Sequence, residues 1–169
     1  MIGKRGRRSW LARLDSICAI ISVMERPRIV VDTNVIAAAL TSATGTNREV
    51  FRRCLRRVVV PLIGTALFHE YQSVFTRPSL VSRCPLAPKE RDEFLNAFLA
   101  TCAWVRISFR WRPNLEDESD NHVMELAVAG GATAIVTNNV RDFRTGELIF
   151  PDIGIMTPAQ FLKISRNQP

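Results

Sequence analysis

The chain has 169 residues, with 23 Lys and Arg against 16 Asp and Glu, a formal charge of +7 and 47% hydrophobic residues. That length and composition suit one domain with a substantial core and exclude disordered and fibrous chains. No run of about 18 uncharged apolar residues occurs, which excludes a membrane-spanning helix.

The basic charge is concentrated at the start. Residues 1–28 hold seven basic side chains and two acids, leaving 16 basic and 14 acidic groups in the rest. Lys4 to Arg8 run into an apolar stretch at residues 17–24, the outline of a signal peptide, but Arg13 and Asp15 interrupt it and no small-x-small cleavage site follows. Residues 1–27 are therefore read as a basic extension, with Met24 a candidate natural start, and residues 28–169 as one folded domain. The plainer alternative for the extension is a surface helix, since Trp10, Leu11, Leu14, Ile17 and Ile21 fall near helical spacing. Cys18, Cys54, Cys84 and Cys102 form no C-x-x-C pair, so free thiols in a reducing cytoplasm are expected.

From residue 28 strands and helices alternate. Arg28–Val31 is β-branched and ends at Asp32, the pattern of a short buried strand. Residues 34–40 are Ala-rich and suit a helix. Residues 47–57 set Val50, Phe51, Cys54 and Leu55 at helical spacing among Arg48, Arg52, Arg53, Arg56 and Arg57. A second strand follows at 58–63, and Gly64-Thr65 opens a helix through Leu67, Tyr71, Val74 and Phe75, ended by Arg77-Pro78. Residues 78–87 read as turns. Residues 88–102 read as a helix with Pro in its first turn, and 103–107 as a third strand. After an acidic loop, 121–129 form a helix closed by Gly130-Gly131. Strands follow at 134–136 and 154–156. Thr157-Pro158-Ala159-Gln160 has capping-box spacing and opens a last helix.

Short apolar strands separated by helices predict a three-layer α/β/α domain with a mainly parallel sheet of about five strands. Ligands in such sheets bind beyond the carboxyl ends of the strands. Asp32 follows the first strand, Glu70 lies one turn into the helix after the second, Asp117 and Asp120 precede the helix after the third, and Asp142 follows the fourth. Taken singly, Asp32 and Asp120 are ordinary helix caps, Glu70 a wet helix face, Asp117 a loop acid and Asp142 a turn acid. Together they place carboxylates at one edge, where they repel unless protonated or bridged by hard cations such as Mg²⁺ or Mn²⁺. Such a cluster points to metal-assisted phosphoryl hydrolysis.

Four segments carry a family resemblance: IVVDTNVIAAAL (29–40), ALFHEYQSVFTRP (66–78), LEDESDNHVMELAVAGGATAIVTNNVRDF (115–143) and IMTPAQFL (155–162). In this order they resemble PIN-domain ribonucleases, especially the toxin-like bacterial branch related to VapC toxins. The resemblance implies a divalent-metal-dependent endoribonuclease of a type II toxin–antitoxin pair, using one or two Mg²⁺ or Mn²⁺ ions. It makes Asp32, Glu70, Asp120 and Asp142 the catalytic and metal-binding acids, with Asn34, Thr137 and Asn139 in support and Asp117 as an outer charge. Asn121 and Asn139 stand where many relatives carry another acid, which lowers the negative charge available to a second ion. A cognate antitoxin, a homodimer and an RNA substrate are implied in the same way.

The arginines of the 47–57 helix, Arg48, Arg52, Arg53 and Arg56, are the basic patch for RNA phosphates, or else a solvated face. His69 and His122 read as packing or surface residues, because neither has a partner at metal spacing. Trp104, Phe109 and Trp111 alternate with Arg106, Arg110 and Arg112; they either stack single-stranded RNA or pack, and packing is the commoner fate of strand aromatics. Two other functions are weighed. A haloacid-dehalogenase-like phosphatase needs a D-x-D pair, where this chain has Asp32-Thr33-Asn34. A PIN-like RNA- or protein-binding module with weak or no catalysis is the alternative, and metal binding at the four acids separates it from the enzyme.

Overall fold

The computed structural model of the chain describes residues 26–108, 120–143 and 150–165. The N-terminal residues 1–25, with the surface helix read there, and Phe109, Arg110, Trp111, Arg112 and Asp117 lie outside the described residues. Five strands and seven helices alternate through the described residues: β1 (Arg28–Val31), α1 (Thr33–Thr41), α2 (Thr46–Leu55), β2 (Val60–Ile63), α3 (Thr65–Thr76), α4 (Pro78–Val81), α5 (Pro88–Leu99), β3 (Ala103–Trp104), α6 (Asn121–Gly130), β4 (Ala134–Val136), β5 (Gly154–Met156) and α7 (Pro158–Ile164). The sheet is all parallel in the order β3-β2-β1-β4-β5, so the expected fold class holds.

β1 lies at the centre, where parallel neighbours on both sides demand apolar residues on both faces. Its Ile29, Val30 and Val31 are fully buried. Val30 is in register with Ile135 of β4, and Arg28 with Val60 of β2. The chain first builds outward from β1 through β2 to β3, then crosses back to lay β4 on the other side of β1. The order therefore reverses between β1 and β4, and their carboxyl ends flank a crevice, the usual ligand position of an open parallel sheet.

Packing of the amphipathic helices completes the core. α6 lies against β1, β2 and β4, while α1 packs on α2 and α3, and α2 on α5 and α7. Phe51 of α2 stacks on Phe94 of α5 with ring centroids 3.9 Å apart, and Tyr71 meets Phe98 edge-on. The buried Tyr71 hydroxyl donates to the Val31 carbonyl, which ties α3 to the end of β1.

Several boundaries differ from the sequence reading, each for a local reason. α2 stops at Leu55, not Arg57. Arg57 adopts φ 56°, its N–H bonds to the Cys54 carbonyl and that of Val58 to the Arg53 carbonyl, so residues 56–59 close the helix and β2 starts only at Val60. α5 ends at Leu99 because residues 100–102 turn back on the last helical carbonyls. β3 is shorter than the expected 103–107: as an edge strand it has one neighbour, and β2 ends at Ile63, whose carbonyl takes a final bond from Val105. Pro78 opens the short helix α4 where turns were expected. The capping box of α7 forms as read: Gln160 N–H donates to the Thr157 hydroxyl and Thr157 N–H to the Gln160 side chain.

Candidate active site

Asp32 sits where β1 gives way to α1, at the β1–β4 crevice, and is 7% exposed. Its ordinary role is present: Oδ1 accepts from the Asn34 N–H (3.3 Å), capping α1. Its Oδ2 looks across the crevice, accepting from the Thr137 hydroxyl (2.6 Å) and from Asn34 Nδ2 (2.8 Å). Every one of these donors is neutral. Burial pushes the Asp32 carboxyl above its usual range and the nearby charge of Glu70 adds to this, against the hydrogen bonds from Thr137 and Asn34.

Glu70 reaches the same place from the second turn of α3. Thr33 has one hydroxyl proton; it lies 2.6 Å from Glu70 Oε1 and 3.3 Å from Asp32 Oδ1, so it donates to Glu70 and holds the two carboxylates next to each other. The other Glu70 oxygen lies 2.9 Å from His122 Nε2. Burial by itself would raise the Glu70 carboxyl, but the hydrogen bonds from His122 and Thr33 and the charges of His122 and Arg77 prevail and hold it below its usual range. His122 was read as a packing or surface residue; its imidazole is instead the direct partner of Glu70. The sequence signal was its place in the first turn of the helix that follows Asp120. His69 is a surface residue as expected, with a ring-edge contact to Phe68.

The segment after β4 closes the crevice from the other side. Thr137 is fully buried; its oxygen donates to Asp32 and accepts from Asn34 Nδ2 (3.2 Å) and the Asn139 N–H (2.9 Å). Asn34 Oδ1 accepts from the Asn138 N–H (3.1 Å), which sets the orientation of the Asn34 amide. Asn139 Nδ2 donates to Asp142 Oδ2. One chain of hydrogen bonds, joined at Thr33–Asp32 by a 3.3 Å oxygen–oxygen contact, thus runs His122–Glu70–Thr33–Asp32–Thr137–Asn139–Asp142, drawn from α6, α3, α1 and the loop after β4. Three of the four expected acids lie on it.

The fourth, Asp120, precedes α6 two residues before His122. Its side chain makes no capping bond to α6, so the plain cap reading does not account for it. Asn121 is buried at 1% exposure beside it. Asp117 lies outside the described residues.

Among the described residues no three His, Cys, Asp or Glu side chains converge at metal-holding distance. Glu70 and Asp142 are turned toward His122 and Asn139 instead. The donor chemistry nonetheless suits a hard divalent cation: carboxylate oxygens, hydroxyl and amide neighbours, and in Asp32 a buried carboxylate whose hydrogen-bond donors are all neutral.

The arginines of α2 do not gather at this edge. α2 begins beside the site, where Asn47 Oδ1 accepts from Asn138 Nδ2 (3.1 Å), and then descends away from it at about 1.5 Å per residue. Arg48 spreads over the Phe94 ring (4.8 Å) and donates to the Ala39 carbonyl. Arg52, Arg53 and Arg56 surround Glu49, and Arg53 also donates to Ser165. Trp104 corrects the packing expectation: on the edge strand it is 59% exposed. Cys54, Cys84 and Cys102 are free thiols, as expected.

The strand-order reversal of this parallel α/β domain is thus lined by carboxylates and by the amides and hydroxyls that orient them. A family model for the PIN domain matches residues 28–141, and the chain belongs to the PIN domain family. Its fold is similar to a chain in the crystal structure of VapBC2 from Rickettsia felis bound to a DNA fragment from their promoter. That match has a TM-score of 0.52 and 15% identity, and covers 77% of this chain and 98% of that one. It is similar also to a chain in the crystal structure of DNA-bound VapBC from Salmonella typhimurium, with a TM-score of 0.51, 17% identity, and 78% and 98% covered. No curated protein sequence matches the chain. Among the described residues no helix is long and apolar enough to cross a membrane.

Proposed function

We propose that this PIN domain is a divalent-metal-dependent endoribonuclease and the toxin of a type II toxin–antitoxin pair. The observation that carries the reading is the chain from His122 to Asp142, which orients three carboxylates from separate elements around one crevice and gives the most buried of them, Asp32, only neutral hydrogen-bond donors. Asp32, Asp120 and Asp142, with Glu70, would hold Mg²⁺ or Mn²⁺. When bound, the ion would acidify a water and neutralise charge developing on the phosphate. The chain's own groups do the rest. Thr137 and Asn34 hold the Asp32 carboxylate in one orientation, Thr33 and His122 hold Glu70, and Asn139 holds Asp142. Partners of this kind keep the acids aimed before substrate arrives. Hydrolysis by water leaves a 5′-phosphate and a 3′-hydroxyl.

Both similar structures are VapBC assemblies bound to DNA. They support a cognate antitoxin partner for this chain; a homodimer acting in the cytoplasm is proposed from the sequence resemblance alone. The exposed α2 arginines, Arg56 above all, would act on RNA through long-range charge rather than contact at the site.

The test is cleavage of a fluorophore–quencher single-stranded RNA by the full chain with Mn²⁺, Mg²⁺ or EDTA, alongside calorimetric Mn²⁺ titration. Cleavage is expected only with metal and is expected to fall at least a hundredfold in Asp32→Asn and Asp120→Asn, with Mn²⁺ binding weakened in step. Full turnover in EDTA or in both variants would refute the assignment. A folded chain that binds no Mn²⁺ would favour the binding-module reading.

A further inference from the structure

A cleft of about 340 Å³ opens beside the acids, between the start of α3, the segment leaving β3 and the first turns of α6. Trp104, Arg106, Ile107, Thr65, His122 and Glu125 line it. We propose that this cleft is a base-binding subsite for single-stranded RNA, in which Trp104 stacks one nucleobase next to the phosphodiester that is cut. The inference rests on the ribonuclease reading and names how that site would grip its substrate.

Four observations lead there. The first is Trp104 itself. Indole is a large apolar surface, and at 59% exposure it gains little from packing. It is nevertheless held, by an edge-on contact with Phe68 at 6.0 Å between ring centroids. A fixed, exposed aromatic plane is what unstacked bases use, because each base has a π face whatever its identity.

The second is Arg106, exposed, two residues after Trp104 and lining the same cleft. A guanidinium there meets the phosphate attached to a base on the indole. The third is the lining that α6 contributes: His122 and Glu125 make that part of the cleft polar, where a base has polar edges of its own. The volume sits at the small end of ligand pockets, which suits a single nucleotide unit.

The fourth observation fixes the position. His122 lines the cleft and its Nε2 contacts Glu70 at 2.9 Å, so cleft and acids share a side chain. A base in the cleft therefore sets its own or the neighbouring phosphate beside Glu70 and Asp32. Stacking is indifferent to sequence, so this subsite selects unpaired RNA; the polar lining ranks the bases that enter.

The experiment measures binding, in EDTA so that nothing is cut, of the full chain to a labelled single-stranded RNA and to an abasic ribose–phosphate oligomer of the same length. Trp104→Ala is expected to weaken RNA binding about tenfold or more, the usual worth of one stacked base, with no change on the abasic oligomer. Trp104→Phe is expected to recover most of the loss. Arg106→Gln is expected to weaken binding to both and to flatten the salt dependence. Equal RNA affinity of wild type and Trp104→Ala overturns the proposal, as does an equal loss on both oligomers, and the cleft is then left to a protein side chain. Cleavage of RNA by wild type with Mn²⁺, measured in parallel, decides the ribonuclease reading separately. Base-dependent binding through Trp104 without cleavage would refute that reading and keep the subsite.

Discussion

Thr137→Val exchanges a hydroxyl for a methyl of the same size, which isolates the polar join between β1 and β4. Three hydrogen bonds end on that oxygen: one donated to the Asp32 carboxylate at 2.6 Å, and two accepted, from Asn34 Nδ2 and the Asn139 N–H. A bond to a charged group contributes about 1.5–3 kcal/mol, and a buried N–H left without a partner costs about 1–3 kcal/mol. Asp32 keeps Asn34 Nδ2, and the Asn139 amide is half-buried where water reaches it, so low ends of both ranges apply. The expected loss is about 3 kcal/mol, or about 6–12 °C in Tm for a domain of this length. Thr137→Ser keeps the oxygen and removes one buried methyl, for about 1 kcal/mol. Urea unfolding followed by circular dichroism reads both, with the slope m unchanged if only the native contacts differ. Val and Ser variants of equal stability would mean that the hydroxyl does not hold the crevice together, and would refute the arrangement described for Asp32.

Gly130→Ala sets helix propensity, which favours Ala by about 1 kcal/mol, against space. A Cβ there would lie 2.4 Å from Leu62 Cδ1 and 3.2 Å from Val105 Cγ2, both buried. Overpacking costs about 1–3 kcal/mol, so a net loss is expected, relieved when Leu62→Val is added; a more stable Gly130→Ala, measured by urea unfolding, would contradict the packing. Alkaline pH is expected to destabilise the fold through its buried thiols. Burial pushes the Cys102 thiol up to about 12, and burial with the neighbouring Cys102 pushes Cys54 further still. Both stay protonated when folded, while the unfolded chain releases their protons near pH 8.5. Their stabilising effect is thus whole below that pH and is lost toward pH 12, at about 1.4 kcal/mol per unit for each thiol. Cys102→Ala should shallow the decline in unfolding free energy between pH 9 and 11, and an unaltered slope would contradict the assignment.

What the sequence determined by itself is what neighbouring residues decide among themselves. The five strands, the order of elements and the parallel class were legible because apolar periodicity, Pro and Gly act within a turn or two. The capping box of Thr157 and Gln160 is a three-residue spacing, and it formed as read. Asp32, Glu70 and Asp142 could be grouped from the sequence because each comes after a strand, and parallel strands deliver their ends to one edge. Gly130 and Gly131 look alike as a helix stop, yet only Gly131 adopts a left-handed φ of 61°; Gly130 is glycine because Leu62, far along the chain, presses on it.

Only the tertiary structure decided the partners. The Thr137 hydroxyl meets Asp32 across 105 residues because the strand order reverses between β1 and β4, and His122 meets Glu70 across 52 because α6 starts where α3 does. No spacing rule reaches so far. Trp104 is the counterpart on the surface: an aromatic in a strand packs when the strand has two neighbours, and β3 has one. Arg48 to Arg56 read as one basic face, but a helix turned away from the crevice spends its arginines on Phe94, Glu49 and Ser165. Local propensity is set by side chains within a few residues, whereas burial and partner choice depend on which elements the topology stacks together.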